Sequence, residues 1–220
     1  LVVGVPSHAF RSTLEAAKPF VHPWIPIVSL TKGLEADSML RMTEVIKDVL
    51  PGRPVAALSG PNLAKEIMAG FAAASVIAFD DVDTARQLQG VCTTGLLRIY
   101  TNRDVIGGEL AGALKNVIAI AVGMGDGQSE GHNSRAAIMT RGLAEITRLG
   151  VGMGADPTTF LGLSGMGDLI LTCTADLSRN RRVGIGLGKG RALDDILAEM
   201  GEVAEGVKTT HAVCTASYTP

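Results

Sequence analysis

The chain has 220 residues, 46% of them hydrophobic and 4% aromatic, with a formal net charge of -2. That length holds one large or two modest domains around an aliphatic, alanine-rich core, and the near-neutral charge gives no electrostatic footprint for nucleic acid or an anionic membrane surface. The cysteines Cys92, Cys173 and Cys214 are far apart and show no metal spacing or disulfide framework, which fits a reducing cytoplasm.

Residues 1–101 alternate short strand-like runs with helical ones. Leu1–Val5 reads as a strand, broken by Pro6-Ser7, and Ser7 is placed to cap a helix through Lys18. Ile25–Leu30 is a second strand ending at Thr31-Lys32-Gly33, and Ser38–Leu50 is helical up to Pro51-Gly52. Pro54–Leu58 is a third strand, ending at Ser59-Gly60-Pro61, and Asn62 opens a helix to about Gly70. Ala72–Phe79, Val82–Cys92 and Leu97–Thr101 follow as strand, helix and strand. Apolar strands alternating with helices predict an α/β fold: a mainly parallel sheet with helices on both faces and ligands at the carboxyl ends of its strands.

After Thr101 the pattern is all-α, so the expected domains are 1–101 and 102–220, with the boundary near Thr101–Asp104. Asp104–Gly123 and Ser134–Leu149 read as long helices joined by a Gly-rich loop, Gly123–Ser134. Thr158–Leu163, Gly167–Cys173, Ser178–Leu187, Leu193–Met200 and Val207–Ala216 read as shorter helices. The longest apolar run, Met68 to Phe79, is interrupted by Gly70 and Ser75 and is too short to span a bilayer. No signal peptide is visible. The chain starts without Met and directly in an apolar strand, which suggests that its beginning is missing.

Three stretches could carry chemistry. In the helix around Leu110–Ala121, Gly108, Gly112, Lys115, Asn116 and Ala119 share one smooth face. Glycine in a helix interior costs about 1 kcal/mol against alanine, so a close approach by backbone or ligand is expected there. Lys115, flanked by Leu114 and Val117, either snorkels to water or is desolvated, with a lowered pKa suited to acid/base work. Asp168 and Thr172 lie four apart on one helical face, where Asp168 either caps the helix or orients a lysine. Ser178 opens a helix whose free N–H groups favour an anion, and Arg179 adds a fork suited to phosphate; the alternative is a solvated basic turn. The patch Arg179, Arg181 and Arg182 fits a small anion better than a polymer.

These motifs recur in a specific order: Val-Pro-Ser at 5–7, Thr-Lys-Gly-Leu-Glu at 31–35, Ser-Gly-Pro-Asn at 59–62 with Lys65 and Glu66, and Leu-Lys-Asn-Val-Ile-Ala at 114–119. Thr-Arg-Gly-Leu-Ala-Glu at 140–145, Gly-Asp-Leu with Thr-Cys at 167–173, Ser-Arg-Asn-Arg-Arg at 178–182 and Glu205-Gly206 follow. The whole chain resembles the bacterial NAD(P)-dependent glycerol-3-phosphate dehydrogenases. The resemblance implies a partial Rossmann-type domain followed by an all-α substrate domain of the 6-phosphogluconate-dehydrogenase-like kind. It implies hydride transfer between NAD or NADP and a small phosphorylated triose, supplying glycerol phosphate for phospholipid synthesis. The match starts midway through the family's cofactor domain, without its Gly-rich phosphate loop, and stops before the end of the helical domain. The chain alone is therefore expected to bind dinucleotide poorly.

By resemblance, Lys115 is the proton acceptor. Lys32 contacts cofactor and substrate, and Asp168 holds the lysine, with Thr172 beside it. Ser178, Arg179 and Asn180 meet the phosphate and glycerol. Gly60 and Asn62 form a substrate turn, though many relatives carry Thr or Ser at position 62, and Asn116 bonds a substrate oxygen. Ser7, Ala64, Val203 and Glu205 stand on the cofactor side with Lys32 and Arg179. No metal is expected, and neither nucleic acid nor membrane insertion is; a homodimer is allowed. His8, His22, His132 and His211 have no role beyond surface or loop positions. The competing readings are a related hydroxy-acid dehydrogenase and a catalytically silent binding fragment.

Overall fold

A computed structural model describes residues 1–201 and 203–217. Five strands form one sheet in sequence order: β1 (Val2–Val3), β2 (Ile27–Ser29), β3 (Val55–Ser59), β4 (Ala73–Ala78) and β5 (Leu97–Asn102). The β1–β2, β2–β3 and β4–β5 pairs are parallel, as expected, but β3 and β4 are antiparallel, with Leu58 opposite Ile77. The reason lies in the connection. Parallel neighbours need a crossover, usually a full helix, whereas between β3 and β4 there is only the five-residue α3 (Ala64–Met68).

Strand alternation assigns each side chain to a face. Ile27 and Val55 face α1 (Ser7–Ala17) and α2 (Met42–Val49), meeting Phe10, Leu14, Val45 and Ile46 in one core. Val28, Ala56, Ile77 and Ile99 lie in a second core with Ala85 of α4 (Val82–Cys92). Ser7 does not cap α1. It is the first helical residue after Pro6, and its hydroxyl is used elsewhere.

Past β5 the regular elements among the described residues are all helical: α5 (Val105–Gly127), α6 (Gly131–Gly152), α7 (Pro157–Phe160), α8 (Asp168–Thr174), α9 (Arg179–Gly188), α10 (Leu193–Met200) and α11 (Glu205–Ser217), with a π-helical turn at Leu163–Gly167. Asp104 caps α5 by accepting from the Gly107 amide at 2.8 Å. The expected loop at Gly123–Ser134 is an overestimate. The α5 helix runs on to Gly127 and α6 starts at Gly131, because the glycines pack against α9 instead of breaking the helix. By length and composition α5 could cross a membrane, but 72% of its most apolar window is buried here, so it is the central core helix.

Two anchors join α5 to the sheet side. Val105 packs on Ala57 and Ala78. Buried Glu109 accepts from the Thr43 amide at 2.8 Å and its hydroxyl at 2.5 Å, and pairs with Arg41 at 2.8 Å, so α5 holds the first turn of α2. Burial pushes the Glu109 carboxyl up, against the opposing pull of Thr43 and Arg41.

Candidate active site

The segment after β2 carries Lys32 into the junction of the two halves. Thr31 donates to the Val5 carbonyl at 2.6 Å, and Leu34 is buried among Leu110, Leu114 and Phe160, so both ends of this turn are fixed. The Lys32 ammonium donates to the Gly60 carbonyl at 2.8 Å and pairs with Asp168 Oδ2 at 2.5 Å. Gly60 has φ +142°, and a Cβ there would stand 3.0 Å from Ser75 Cα, so this turn requires glycine.

Lys115 reaches the same carboxylate from α5. Its Nζ lies 2.8 Å from Asp168 Oδ1 and donates to Thr172 Oγ1 at 2.5 Å, while the Thr172 hydroxyl donates to the Asp168 carbonyl at 2.7 Å. One carboxylate therefore holds two ammonium groups, one from each half of the molecule. Lys115 is 5% exposed and Asp168 1%. Desolvation, followed by repulsion from Lys32, lowers Lys115 to about 8 although Asp168 pulls the other way. The neighbouring Cys173 thiol is pushed up to about 12 by burial and stays neutral.

A chain of amides continues from Lys115. Asn116 accepts from Asn180 Nδ2 at 2.9 Å, and Asn180 accepts from the Gly206 amide at 2.9 Å. Ser178 caps α9 by accepting from the Arg181 amide at 3.3 Å. Arg179 stands exposed at the mouth, and among the described residues its guanidinium meets no carboxylate. Glu205, at the start of α11, accepts from the Ser7 hydroxyl at 2.6 Å and the Ser7 amide at 3.1 Å, bridging the halves.

These groups line one cleft of about 710 Å³. Its polar end holds Lys32, Lys115, Asn116, Asp168 and Thr172; Ser178, Arg179, Asn180, Val203 and Glu205 form one wall, and Asn62 and Ala64 the other. Val2, Val28, Leu30, Leu58 and Leu97 make an apolar floor on the sheet. Gly60 and Ser7 sit one bond behind the lining, through Lys32 and Glu205.

Three expectations change. Asn62 does not open α3 as a cap; its side chain accepts from Ser75 at 2.5 Å. Gly108 and Gly112 do not face the cleft. A Cβ on Gly112 would meet Ser59 Oγ at 2.9 Å and Lys32 Cγ at 3.4 Å, so its smoothness admits the sheet and the Lys32 stem. Arg181 is not an anion ligand, since it is held by Asp126 and Asp176 at 2.7 and 2.9 Å. Glu109 and Asp126, which tie α5 to the start of α2 and to α6 and α9, were not singled out from sequence; a carboxylate inside an otherwise apolar helix is the signal that could have found them. The four histidines are exposed and outside the cleft lining.

A largely parallel α/β layer whose strand ends open onto a helical unit, with a buried lysine–carboxylate pair between them, defines a two-part α/β-plus-helical architecture with its cleft at the strand ends. Models of the N-terminus and the C-terminus of NAD-dependent glycerol-3-phosphate dehydrogenase match residues 1–85 and 104–219. The chain belongs to that NAD-dependent glycerol-3-phosphate dehydrogenase family. It is 63% identical over 213 residues to an NAD(P)+ glycerol-3-phosphate dehydrogenase of Sphingopyxis alaskensis, covering 97% of this chain and 64% of the relative. It is 55% identical over 216 residues to the Syntrophobacter fumaroxidans enzyme, again covering 97% of this chain and 64% of the relative. The chain thus spans about 64% of the length of these curated relatives. The crystal structure of the Coxiella burnetii glycerol-3-phosphate dehydrogenase superposes with a TM-score of 0.94 at 39% identity, covering 98% of this chain and 66% of that one.

Proposed function

We propose that the gene product carrying this chain interconverts dihydroxyacetone phosphate and sn-glycerol 3-phosphate with NAD or NADP in the cytoplasm, supplying glycerol phosphate for phospholipid synthesis. In this reading residues 1–101 are the cofactor side and 102–220 the substrate side. The observation that carries it is the Lys115–Asp168–Lys32 cluster, buried at one end of a cleft whose mouth carries an uncommitted Arg179 at a helix N-terminus.

Lys115 takes the substrate hydroxyl proton at Nζ in oxidation and returns it to the ketone oxygen in reduction. Its lowered pKa leaves a usable fraction of neutral amine near neutral pH. Asp168 and Thr172 fix the direction of that amine. Lys32 stabilises negative charge developing on the oxygen from the opposite side. Arg179 forks the phosphate, with the Arg179 and Asn180 amides at the start of α9. Asn180, Asn116 and Asn62 are disposed to bond the glycerol oxygens, with Gly60 shaping the turn behind them and Ser178 holding the α9 cap. A nicotinamide held in this cleft would supply the hydride acceptor or donor. The apolar floor beside amide donors and carboxylate acceptors suits a flat ring with a polar substituent, and Ser7, Lys32, Ala64, Arg179, Val203 and Glu205 would stand around it.

The test is a substrate panel. Purified product is assayed with NADH and NADPH against dihydroxyacetone phosphate and a 2-keto acid such as ketopantoate. Faster turnover of the phosphorylated triose supports the proposal. Faster turnover of the keto acid moves the protein to the hydroxy-acid dehydrogenases, and no turnover with either marks a binding module.

A further inference from the structure

Helices α5 and α9 pack backbone to backbone. A Cβ on Gly127 would lie 2.5 Å from the Ile185 carbonyl oxygen, and one on Gly184 would lie 2.8 Å from Gly123 Cα, so neither pair of turns can slide past the other. This seam ends at a half-buried carboxylate. Asp126, in the last turn of α5, accepts through Oδ2 from Arg181 Nε at 2.7 Å and through Oδ1 from Arg135 Nε and Nη2 at 3.0 and 2.7 Å. Its side chain is 9% exposed. Arg181 belongs to the first turn of α9 and donates its own amide to the Ser178 cap. Asp126 therefore fixes three helices, α5, α6 and α9, at the turn that presents Arg179 and Asn180.

We propose that Asp126 is a positioning residue for the anionic end of the substrate: through Arg181 it sets the Ser178–Asn180 turn, so that Arg179 alone of this basic run faces the cleft. Two features make this more than packing. Arg181 is one position past Asn180, which bonds Asn116 beside Lys115, so a shift of Arg181 moves the phosphate turn relative to the acid/base group. Arg181 is also neutralised by Asp126 and Asp176, which prevents it from competing with Arg179 for the anion. An asparagine at 126 would keep the shape, but its amide nitrogen would face a guanidinium and release one of the two arginines.

This rests on the function proposed above, and the test separates the two. Asp126→Asn is made in the full gene product and assayed with glycerol 3-phosphate, with unphosphorylated glycerol, and with inorganic phosphate as inhibitor. The expected result is a KM for glycerol 3-phosphate and an inhibition constant for phosphate both raised about tenfold, kcat within about threefold, and the KM for glycerol unmoved. Asp126→Glu should restore part of the loss. A folded Asp126→Asn protein with unchanged KM and phosphate inhibition overturns the proposal. If that variant fails to fold, Arg181→Lys is measured in the same way and decides. Should the wild type not turn over glycerol 3-phosphate, the proposed function fails; calorimetric titration with inorganic phosphate, which needs no turnover, still tests Asp126.

Discussion

The pH at which Lys115 exchanges its proton is the most exposed consequence of this site. Burial and Lys32 bring it from 10.5 to about 8. At pH 7 a group with a pKa near 8 is about 10% neutral, whereas an unperturbed lysine is about 0.03% neutral, a difference of roughly 300-fold in competent base. The oxidation of glycerol 3-phosphate should then gain about tenfold in kcat/KM per pH unit from about pH 6 and level off above about 8. The reverse reaction, which needs the protonated form, should decline above the same value. Lys32→Met removes the repelling charge, so the break should move to higher pH. Stability follows with a definite sign. Below about 8 both folded and unfolded chains hold this proton, and a penalty on the order of 3 kcal/mol is fully present. The folded chain releases it first, so Lys115 contributes rising stability between about 8 and 10.5. Rate profiles in both directions, with denaturant unfolding across the same pH range, check this. A rate that is flat through pH 8 and bends only near 10.5 would refute the reasoning.

Two further outcomes test the scaffold. Glu109→Ala unpairs the Thr43 amide and hydroxyl at the first turn of α2 and leaves Arg41 with Glu44 alone, and should lower the unfolding free energy by about 1–3 kcal/mol in urea titration; Glu109→Gln should lose less, and a loss below about 0.5 kcal/mol in the alanine variant would show that this anchor is dispensable. Gly184→Ala gains about 1 kcal/mol of helix propensity, but its Cβ meets the backbone of α5. Overpacking should win by roughly 1–3 kcal/mol and lower Tm, so a raised Tm would contradict the backbone-to-backbone seam.

The strands and helices were legible because their apolar periods are clean: Ile27-Val28 and Val55–Leu58 leave little choice, as does the stripe around Leu114. What the sequence could not show was pairing direction. The β3–β4 reversal depends on how short α3 is, and Asn62 to Gly70 read longer than the helix that forms. Glycine was the other source of error. Gly123 and Gly127 read as loop because propensity penalises them, yet α9 needs their missing side chains. At the site, Lys32, Lys115, Asp168 and Arg179 were visible as residue types out of keeping with their surroundings. That both lysines share one carboxylate was not visible, since 136 residues separate Lys32 from Asp168. Glu109 and Asp126 stand out of keeping with the apolar α5, but their partners Arg41, Arg135 and Arg181 lie in other elements and cannot be paired with them from sequence.

The central claim is that Lys115 moves the proton in a site otherwise assembled without it. The direct measurement is Lys115→Ala in the full gene product, with turnover followed by nicotinamide absorbance and glycerol 3-phosphate binding by calorimetry. Turnover should be lost, while binding, carried by Arg179 and the α9 turn, is retained. An unchanged rate would remove Lys115 as the acid/base group and contradict the account.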